Sequence, residues 1–319
     1  MEKELKNILL YGFGRMGLTH FAILNGLYPN LNFSVLETNK KMVAILKKNF
    51  PEVTFYTDES NLPLKPFDLT LITTPPFIHK KLLSKAKQRQ DKRIFVEKPF
   101  GGHLNHKVGA EEMDEIFDNV FIGYVLRFNP CVQWVKENIS PKDIIKAKGQ
   151  YLSYTLDKKP KGWRNGEYSG VLNEMGSHIL DLLNYLVNLD GYKVLQATKK
   201  SVVSDVDDIV DAKLQVKEKE IELYLNWVNK DIRKPVFGLE FELKNGQNIF
   251  LDQQIIRISE KGEIVKQISV TELGATVPFY LRGVDFTKQM ENLMDSANIM
   301  CTMADALKVN HIIKDILNS

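Results

Sequence analysis

The sequence predicts an α/β amino-terminal domain built on a parallel sheet, followed by an α+β domain with a large, mainly antiparallel sheet. Between residues 8 and 123, short apolar runs alternate with longer amphipathic stretches, as in repeated strand–helix–strand units. After Asn129-Pro130 this rhythm stops. From residue 208 to 270, apolar and polar residues alternate between turn residues, which is typical of antiparallel strands.

The apolar runs of the first part are its predicted strands: Ile8-Leu9-Leu10-Tyr11, Phe33-Ser34-Val35-Leu36, Leu69-Thr70-Leu71-Ile72, Ile94-Phe95-Val96 and Val120-Phe121-Ile122. Residues 40–49 and 79–89 carry apolar positions at three- and four-residue spacing and are predicted helices. We place the domain boundary at Gly123, which gives an amino-terminal domain of residues 1–123 and a second domain of residues 124–319.

The second part begins with a predicted helix at 131–139 and a stronger one at 174–187. Asn245-Gly246 and Lys261-Gly262 supply the turns of a β-meander, and the strand residues around the first turn alternate clearly. Two further helices, 283–295 and 303–317, are predicted to close the chain.

The composition is that of an ordinary globular protein, with 44% hydrophobic and 26% charged residues and a net charge of +3. The lysines are scattered, so no nucleic-acid partner is expected. Cys131 and Cys301 are far apart and lack a CxxC partner, so neither a disulfide framework nor a metal site is expected. The first residues run directly into a predicted strand, and we expect a cytoplasmic protein without a signal peptide or membrane anchor.

A glycine-rich motif follows the first predicted strand and precedes a predicted helix: Gly12-Phe13-Gly14-Arg15-Met16-Gly17. Its spacing is GxGxxG, in which the glycines allow a tight turn, close approach of a pyrophosphate, and packing of helix on strand. Similar loops occur in methyltransferases and in structural crossovers. In this position the motif predicts a Rossmann-like dinucleotide-binding domain.

Glu37 stands where the second predicted strand ends, twenty positions after Gly17. A carboxylate here accepts hydrogen bonds from both hydroxyls of an adenosine ribose and repels a 2′-phosphate, which favours NAD over NADP. Lys40 and Lys41 lie close enough to leave NADP possible, and Glu37 as an ordinary solvated residue is the alternative.

Two short motifs follow later strands of the predicted sheet. Thr73-Thr74-Pro75 ends one strand and Glu97-Lys98-Pro99 ends the next. Both lie at the carboxyl edge, where doubly wound sheets bind ligands. The Lys98 ammonium can bind a substrate hydroxyl and stabilise a developing alkoxide, whereas the alternative is a surface lysine paired with Glu97.

Together these motifs, with His79 and the stretch Gly123-Tyr124-Val125-Leu126-Arg127-Phe128-Asn129-Pro130, resemble the Gfo/Idh/MocA oxidoreductase family. The resemblance runs through the whole chain and implies hydride transfer between NAD(P) and a secondary alcohol or ketone of a sugar, cyclitol or sugar derivative. It implies that the cofactor is bound by the glycine-rich loop, Glu37 and six later residues: Thr73, Thr74, Pro75, His79, Glu97 and Lys98. It also implies a homo-oligomer, dimer or tetramer.

A further family motif, Asp-x-Gly-x-His-x-x-Asp, is matched by Glu174-Met175-Gly176-Ser177-His178-Ile179-Leu180-Asp181, with Glu in place of the first Asp. The resemblance implies that Lys98 and His178 are the catalytic residues, with His178 carrying the hydroxyl proton, and that both face the same carbinol. From the residues alone, the favoured interpretation of His178 is a core histidine on an apolar helix.

The remaining substrate-binding predictions cluster around that helix: Glu174, Asp181, Arg127, Trp163, Arg164 and Tyr168. Trp163 and Tyr168 can stack on a sugar ring, and Arg164 and nearby Lys161 can pair with a carboxylate or phosphate; a solvated loop is the alternative. A dinucleotide-binding regulator without turnover is the competing hypothesis for the whole protein. Intact Lys98 and His178 favour the enzyme.

Overall fold

The computed structural model describes residues 5–100, 115–166, 169–275 and 283–319, apart from the side chain of Trp163. It contains two compact units. The first holds described residues up to 124 together with 283–303, and the second holds 125–275 and 304–319. The division into domains 1–123 and 124–319 stays a prediction.

The first unit is a seven-stranded sheet with strand order β15-β6-β5-β4-β1-β2-β3. Six strands run parallel, and β15 pairs antiparallel with β6. The strands are Asn7–Tyr11 (β1), Asn32–Leu36 (β2), Thr54–Tyr56 (β3), Leu69–Ile72 (β4), Arg93–Val96 (β5), Val120–Ile122 (β6) and Cys301–Thr302 (β15). The order reverses between β1 and β4, which is where doubly wound sheets bind their ligands.

The helices of this unit arise from amphipathic sequence: Arg15–Leu27 (α1), Lys40–Asn49 (α2), His79–Gln88 (α3) and Val284–Met294 (α6). Asn39 caps α2 through its side-chain oxygen, which accepts from the N–H of Met42. The central strands β1, β4 and β5 are buried on both faces, as expected of strands covered by helices on both sides.

The second unit is an eight-stranded sheet with strand order β14-β13-β12-β11-β7-β10-β9-β8. All pairs are antiparallel except β7 with β10. The strands are Ile144–Leu152 (β7), Tyr192–Lys200 (β8), Ile209–Val216 (β9), Lys219–Asn226 (β10), Val236–Leu243 (β11), Gln247–Asp252 (β12), Ile255–Glu260 (β13) and Glu263–Ser269 (β14). The predicted fold class, a parallel α/β unit and a mainly antiparallel α+β unit, is confirmed.

Three helices belong largely to this unit: Pro130–Asn138 (α4), Ser177–Val187 (α5) and Met303–Asn318 (α7). Helix α5 packs against β7 at Gly149, where an added Cβ would lie 2.3 Å from Cγ2 of Ile179. This close approach fixes the position of α5 on the sheet. None of the helices in the described ranges has the length and apolar character that a membrane crossing requires.

Candidate active site

The glycine-rich loop joins the end of β1 to the start of α1. Gly12 has a φ of +84°, and its N–H donates to the carbonyl oxygen of Leu36 at 2.9 Å. A Cβ at Gly17 would lie 2.3 Å from the carbonyl oxygen of Gly12, so the helix can pack here only without a side chain. At Gly14, no heavy atom of the described chain beyond its neighbours lies within 4 Å of a Cβ position. The backbone of Gly14 is therefore open to a ligand.

Glu37 lies against this loop. Its Oε2 accepts from the N–H of Phe13 at 3.1 Å and its Oε1 accepts from the N–H of Asn39 at 2.9 Å. The Phe13 ring is buried and packs edge-on against Phe21 and Phe55, so only its backbone faces the loop. The structure thus brings Glu37 and the loop together.

The other two residues of the motif begin α1. Arg15 is exposed and Met16 is half-buried. Both belong to the first helical turn, whose backbone N–H groups carry the partial positive charge that favours a phosphate.

The segment after β4 lies beside the loop. Thr73 Oγ1 donates to the carbonyl oxygen of Gly12 at 2.9 Å, and Cγ2 of Thr74 would be 3.1 Å from a Cβ at Gly12. The buried Oγ1 of Thr74 has no hydrogen-bond partner among the described residues. A buried hydroxyl without a partner is costly, so this atom is a candidate for contact with a bound group.

Pro75 and His79 complete this segment. Pro75 is exposed and precedes a 3₁₀ turn, Pro76–Ile78. His79 is fully buried, and its Nε2 donates to the carbonyl oxygen of Thr74 at 2.7 Å. Burial lowers the pKa of His79, so the ring is held neutral and supports the backbone at Thr74.

Glu97 and Lys98 follow β5 at the same edge of the sheet. Glu97 is buried; its Oε1 lies 2.7 Å from Nε2 of His20, and its Oε2 accepts from the N–H of Lys98 at 3.2 Å. Lys98 is half-buried, and its peptide bond to Pro99 is cis. The Glu97 carboxylate is thus directed at α1 and at the Lys98 backbone.

His178 lies in the first turn of α5, directly after a π-helical turn, Leu172–Gly176. Single π turns within helices are frequent at functional sites. His178 is 8% exposed, and its ring centroid is 6.4 Å from that of Tyr151 on β7. Burial raises the pKa of Tyr151, so its hydroxyl stays protonated. A Cβ at Gly176 would lie 2.5 Å from Cδ1 of Leu225, so the turn packs closely on β10.

Glu174 belongs to the π-helical turn and is half-buried. Its Oε1 accepts from Ser169 Oγ at 2.5 Å, and its Oε2 lies 3.8 Å from Nε of Arg164. Lys161 is exposed. Tyr168 and the side chain of Trp163 lie outside the described residues. Among the described side chains of the predicted loop cluster, that of Arg164 lies at the motif, beside Glu174.

Arg127 and Asp181 are placed in the core of the second unit. Their side chains are 3% and 1% exposed. The guanidinium donates through Nε to Asp181 Oδ2 at 2.9 Å and through Nη2 to Oδ1 at 2.6 Å, and Nη2 is 3.2 Å from Asp305 Oδ2. The Arg127 guanidinium also stacks 4.7 Å from the ring centroid of Tyr185. These two predicted substrate-binding residues therefore bind each other.

No sequence motif singles out Asp207, which holds the segment that leads into the π-helical turn Leu172–Gly176. Its Oδ2 accepts from the N–H of Leu172 at 2.7 Å, and its Oδ1 would be 2.1 Å from a Cβ at Gly170, where φ is +108°. Burial raises the pKa of Asp207 to about 7, and the neighbouring Asp208 carboxylate adds to the rise.

This pKa predicts a loss of stability as pH rises. The unfolded chain releases the Asp207 proton near its ordinary pKa of 3.8, whereas the folded protein retains it up to about 7. Folding is therefore favoured at low pH, and the free energy of unfolding should fall by about 2 kcal/mol between pH 5 and pH 7 from this group. Urea unfolding of Asp207→Asn across this range should show a flatter dependence than the wild type. Equal slopes for the two proteins would contradict the assignment.

Within the described ranges, no group of three or more His, Cys, Asp or Glu side chains is arranged to hold a metal ion.

Comparison with solved structures gives likenesses across nearly the whole chain. Levoglucosan dehydrogenase in complex with NADH and levoglucosan superposes with a TM-score of 0.79 at 18% identity, covering 98% of this chain and 96% of that one. The dehydrogenase MviM from Clostridium difficile gives 0.75 at 15% identity, covering 99% of each chain. The WlbA dehydrogenase from Bordetella pertussis, in complex with NADH and UDP-GlcNAcA, gives 0.76 at 14% identity, covering 100% of this chain and 96% of that one.

No protein-family model matches the sequence, and a search of curated proteins gives no match. At these identities the likeness is one of fold. The chain shares the fold of these dehydrogenases, which confirms the two-part fold that the sequence predicts.

Proposed function

We propose that the protein is an NAD-dependent oxidoreductase that transfers a hydride between the nicotinamide and a CH–OH carbon of a sugar, cyclitol or sugar derivative. The proposal rests on three groups that lie together at the carboxyl edge of the parallel sheet. The open backbone at Gly14, the buried Thr74 hydroxyl and the Glu97-Lys98 segment all follow neighbouring parallel strands, β1, β4 and β5. The complexes of levoglucosan dehydrogenase and WlbA with NADH and sugar ligands support the same activity.

The residues present fit a dinucleotide. The loop from Gly12 to Gly17 offers backbone N–H groups and a helix N-terminus to phosphate, and Glu37 offers a carboxylate at the end of β2. The Thr74 hydroxyl, without a partner in the described chain, offers a hydrogen bond to the bound group. When bound, the nicotinamide supplies the site that accepts or gives the hydride.

Lys98 and His178 supply the protein's part of the chemistry in this proposal. Lys98 binds the reacting oxygen and stabilises the charge that develops on it. His178 accepts the hydroxyl proton during oxidation and returns it during reduction. Glu174 and Arg164, paired near His178, are proposed to bind the remaining hydroxyls of the substrate.

The compartment, the oligomeric assembly and the binding partners of the protein are also proposals. Cys131 and Cys301 are both buried free thiols, which suits a reducing cytoplasm. We propose a homo-oligomer with a polyol or sugar as the small-molecule partner and no nucleic-acid partner. The broad sheet of the second unit offers a surface for self-association.

The experiment that tests the function is a dehydrogenase screen of the purified protein. NADH and NADPH formation should be followed with sugars, inositols and nucleotide-linked sugars, and reduction should be followed with the corresponding ketoses and keto sugars. Turnover with NAD on at least one class supports the proposal. Tight binding of NADH without turnover across the panel would favour a dinucleotide-binding regulator.

The role of Glu37 predicts a change in the preference for NAD over NADP when its charge is removed. Glu37→Gln keeps an amide oxygen for the N–H of Phe13 but removes the charge that repels a 2′-phosphate. The ratio of kcat/KM for NAD to that for NADP should fall by about 10-fold to 100-fold. The exposed Glu52, in the same unit, gives a charge-matched control in Glu52→Gln. An unchanged ratio in Glu37→Gln would remove Glu37 from the cofactor site.

A further inference from the structure

A buried histidine and a buried carboxylate form a hydrogen-bonded pair next to the backbone of Lys98. His20, on α1, is 0% exposed, and Glu97, at the end of β5, is 7% exposed. Nε2 of His20 is 2.7 Å from Oε1 of Glu97. The other carboxylate oxygen, Oε2, accepts from the backbone N–H of Lys98 at 3.2 Å. One carboxylate thus joins the helix of the glycine-rich loop to the backbone of Lys98.

The surroundings leave this pair little freedom. The His20 ring packs edge-on against Phe95 at 5.1 Å and lies 6.2 Å from the ring of Phe286. On the other side of the carboxylate, a Cβ at Gly123 would lie 3.1 Å from Oε2 of Glu97 and 2.8 Å from Cζ of Phe95. A close-packed wall of this kind holds the Glu97 carboxylate in one orientation.

The hydrogen-bond pattern indicates which ring nitrogen of His20 carries the proton. The buried Nδ1 of His20 has no partner among the described residues. A proton on Nδ1 would leave a buried N–H unsatisfied, whereas a bare nitrogen does not. A ring with its proton on Nε2 therefore suits the site, and Nε2 donates to Glu97.

We propose that His20 is a positioning residue for Lys98, acting through Glu97. The His20 ring donates a hydrogen bond to the Glu97 carboxylate, and this carboxylate accepts one from the Lys98 N–H. The two contacts position the Lys98 ammonium at the carboxyl edge of the sheet. This inference rests on the proposed role of Lys98. Because His20 lies on the helix that the glycine-rich loop begins, the same contact ties Lys98 to the cofactor-binding element.

Two substitutions separated by one methylene test the proposal. His20→Gln places an amide N–H near the position of Nε2, within reach of Glu97, whereas the shorter amide of His20→Asn stops near Nδ1. His20→Leu removes the donor altogether. Thr70→Val is the matched control, because it removes a buried hydrogen bond of 2.6 Å to the Asp91 carboxylate at the opposite end of the same sheet.

Three quantities are measured for each variant: kcat, the NADH dissociation constant, and the ¹³C resonance of Lys98 after reductive methylation, assigned by its loss in Lys98→Met. In His20→Asn and His20→Leu, kcat should fall by about 10²-fold, since small displacements of a catalytic group cost that much. The NADH dissociation constant should stay within about 3-fold, because the loss falls on the chemical step. The Lys98 resonance should move in these two variants only.

His20→Gln and Thr70→Val should retain the wild-type resonance and most of the wild-type kcat. The proposal is overturned if the Lys98 resonance is unchanged in His20→Asn, or if Thr70→Val disturbs it equally. It is also overturned if His20→Gln behaves like His20→Asn. The resonance is read without substrate, so a protein without turnover would refute the proposed function while leaving this test intact.

Discussion

Replacing Lys98 with methionine is expected to lower kcat by about 10³-fold while the NADH dissociation constant changes little. Methionine keeps the unbranched stem of the side chain as far as Cε and removes the ammonium that would stabilise charge on the reacting oxygen. Lys98 follows β5, whereas the glycine-rich loop and Glu37, which are proposed to hold most of the cofactor, follow β1 and β2, so cofactor affinity should survive. Steady-state kinetics and a fluorescence titration with NADH measure the two quantities separately.

Lys65→Met is the matched control for this substitution. Lys65 is an exposed lysine of the same unit that precedes β4, at the amino edge of the sheet. It should keep wild-type kcat and NADH affinity. A Lys98→Met protein with strong turnover would defeat the catalytic assignment, and one that loses NADH affinity would make Lys98 a cofactor-binding residue.

Replacing Arg127 with methionine is expected to destabilise the protein by about 3–5 kcal/mol. The two hydrogen bonds from the guanidinium satisfy both oxygens of Asp181, which is fully buried. Without Arg127, the buried Asp181 carboxylate loses the two charge-assisted hydrogen bonds that offset its desolvation, and this is the main loss. The free energy of unfolding from urea denaturation measures the effect.

Two further variants separate this explanation from a general loss of charge. Arg127→Met combined with Asp181→Leu removes both charges and should recover much of the stability. Lys159→Met breaks an exposed ion pair with Asp205, 2.6 Å long, and should cost less than about 1 kcal/mol. If Arg127→Met keeps its stability but raises KM strongly, Arg127 binds substrate as the sequence predicts, and the core role is wrong.

Local sequence was sufficient to predict much of the first unit. The run Ile8-Leu9-Leu10-Tyr11 is buried on both faces as β1, and the glycine-rich turn follows it directly, because both features depend on neighbouring residues. The predicted helix 40–49 is α2, and the helix predicted for 79–89 is α3, one residue shorter. The short β3 was missed, since three residues carry too little periodicity.

The second unit was predicted less completely. The turns at Asn245-Gly246 and Lys261-Gly262 lie in the expected hairpins, because turn chemistry is local. Strand β7 has no counterpart among the predicted elements, although it lies at the centre of the sheet. Its parallel partner β10 lies about seventy residues further along the chain, and no local pattern encodes such a pairing.

In the candidate site too, local sequence predicted the position of single residues but not the contacts between distant ones. The sequence located Glu37 directly after a strand and His178 on a helix, and the structure has them there. They did not reveal that Glu97 binds His20 or that Arg127 binds Asp181, because each contact joins residues far apart in sequence. The burial of Asp207 likewise depends on packing between segments.

Deuterium transfer is the most direct test of hydride chemistry at this site. The best substrate of the dehydrogenase screen should be prepared with deuterium at its reacting CH–OH carbon, and NADH should be isolated after turnover and examined by NMR. We predict that the deuterium appears at C4 of the nicotinamide ring. NADH without deuterium, or NAD that stays bound and oxidised with every substrate, would contradict the account.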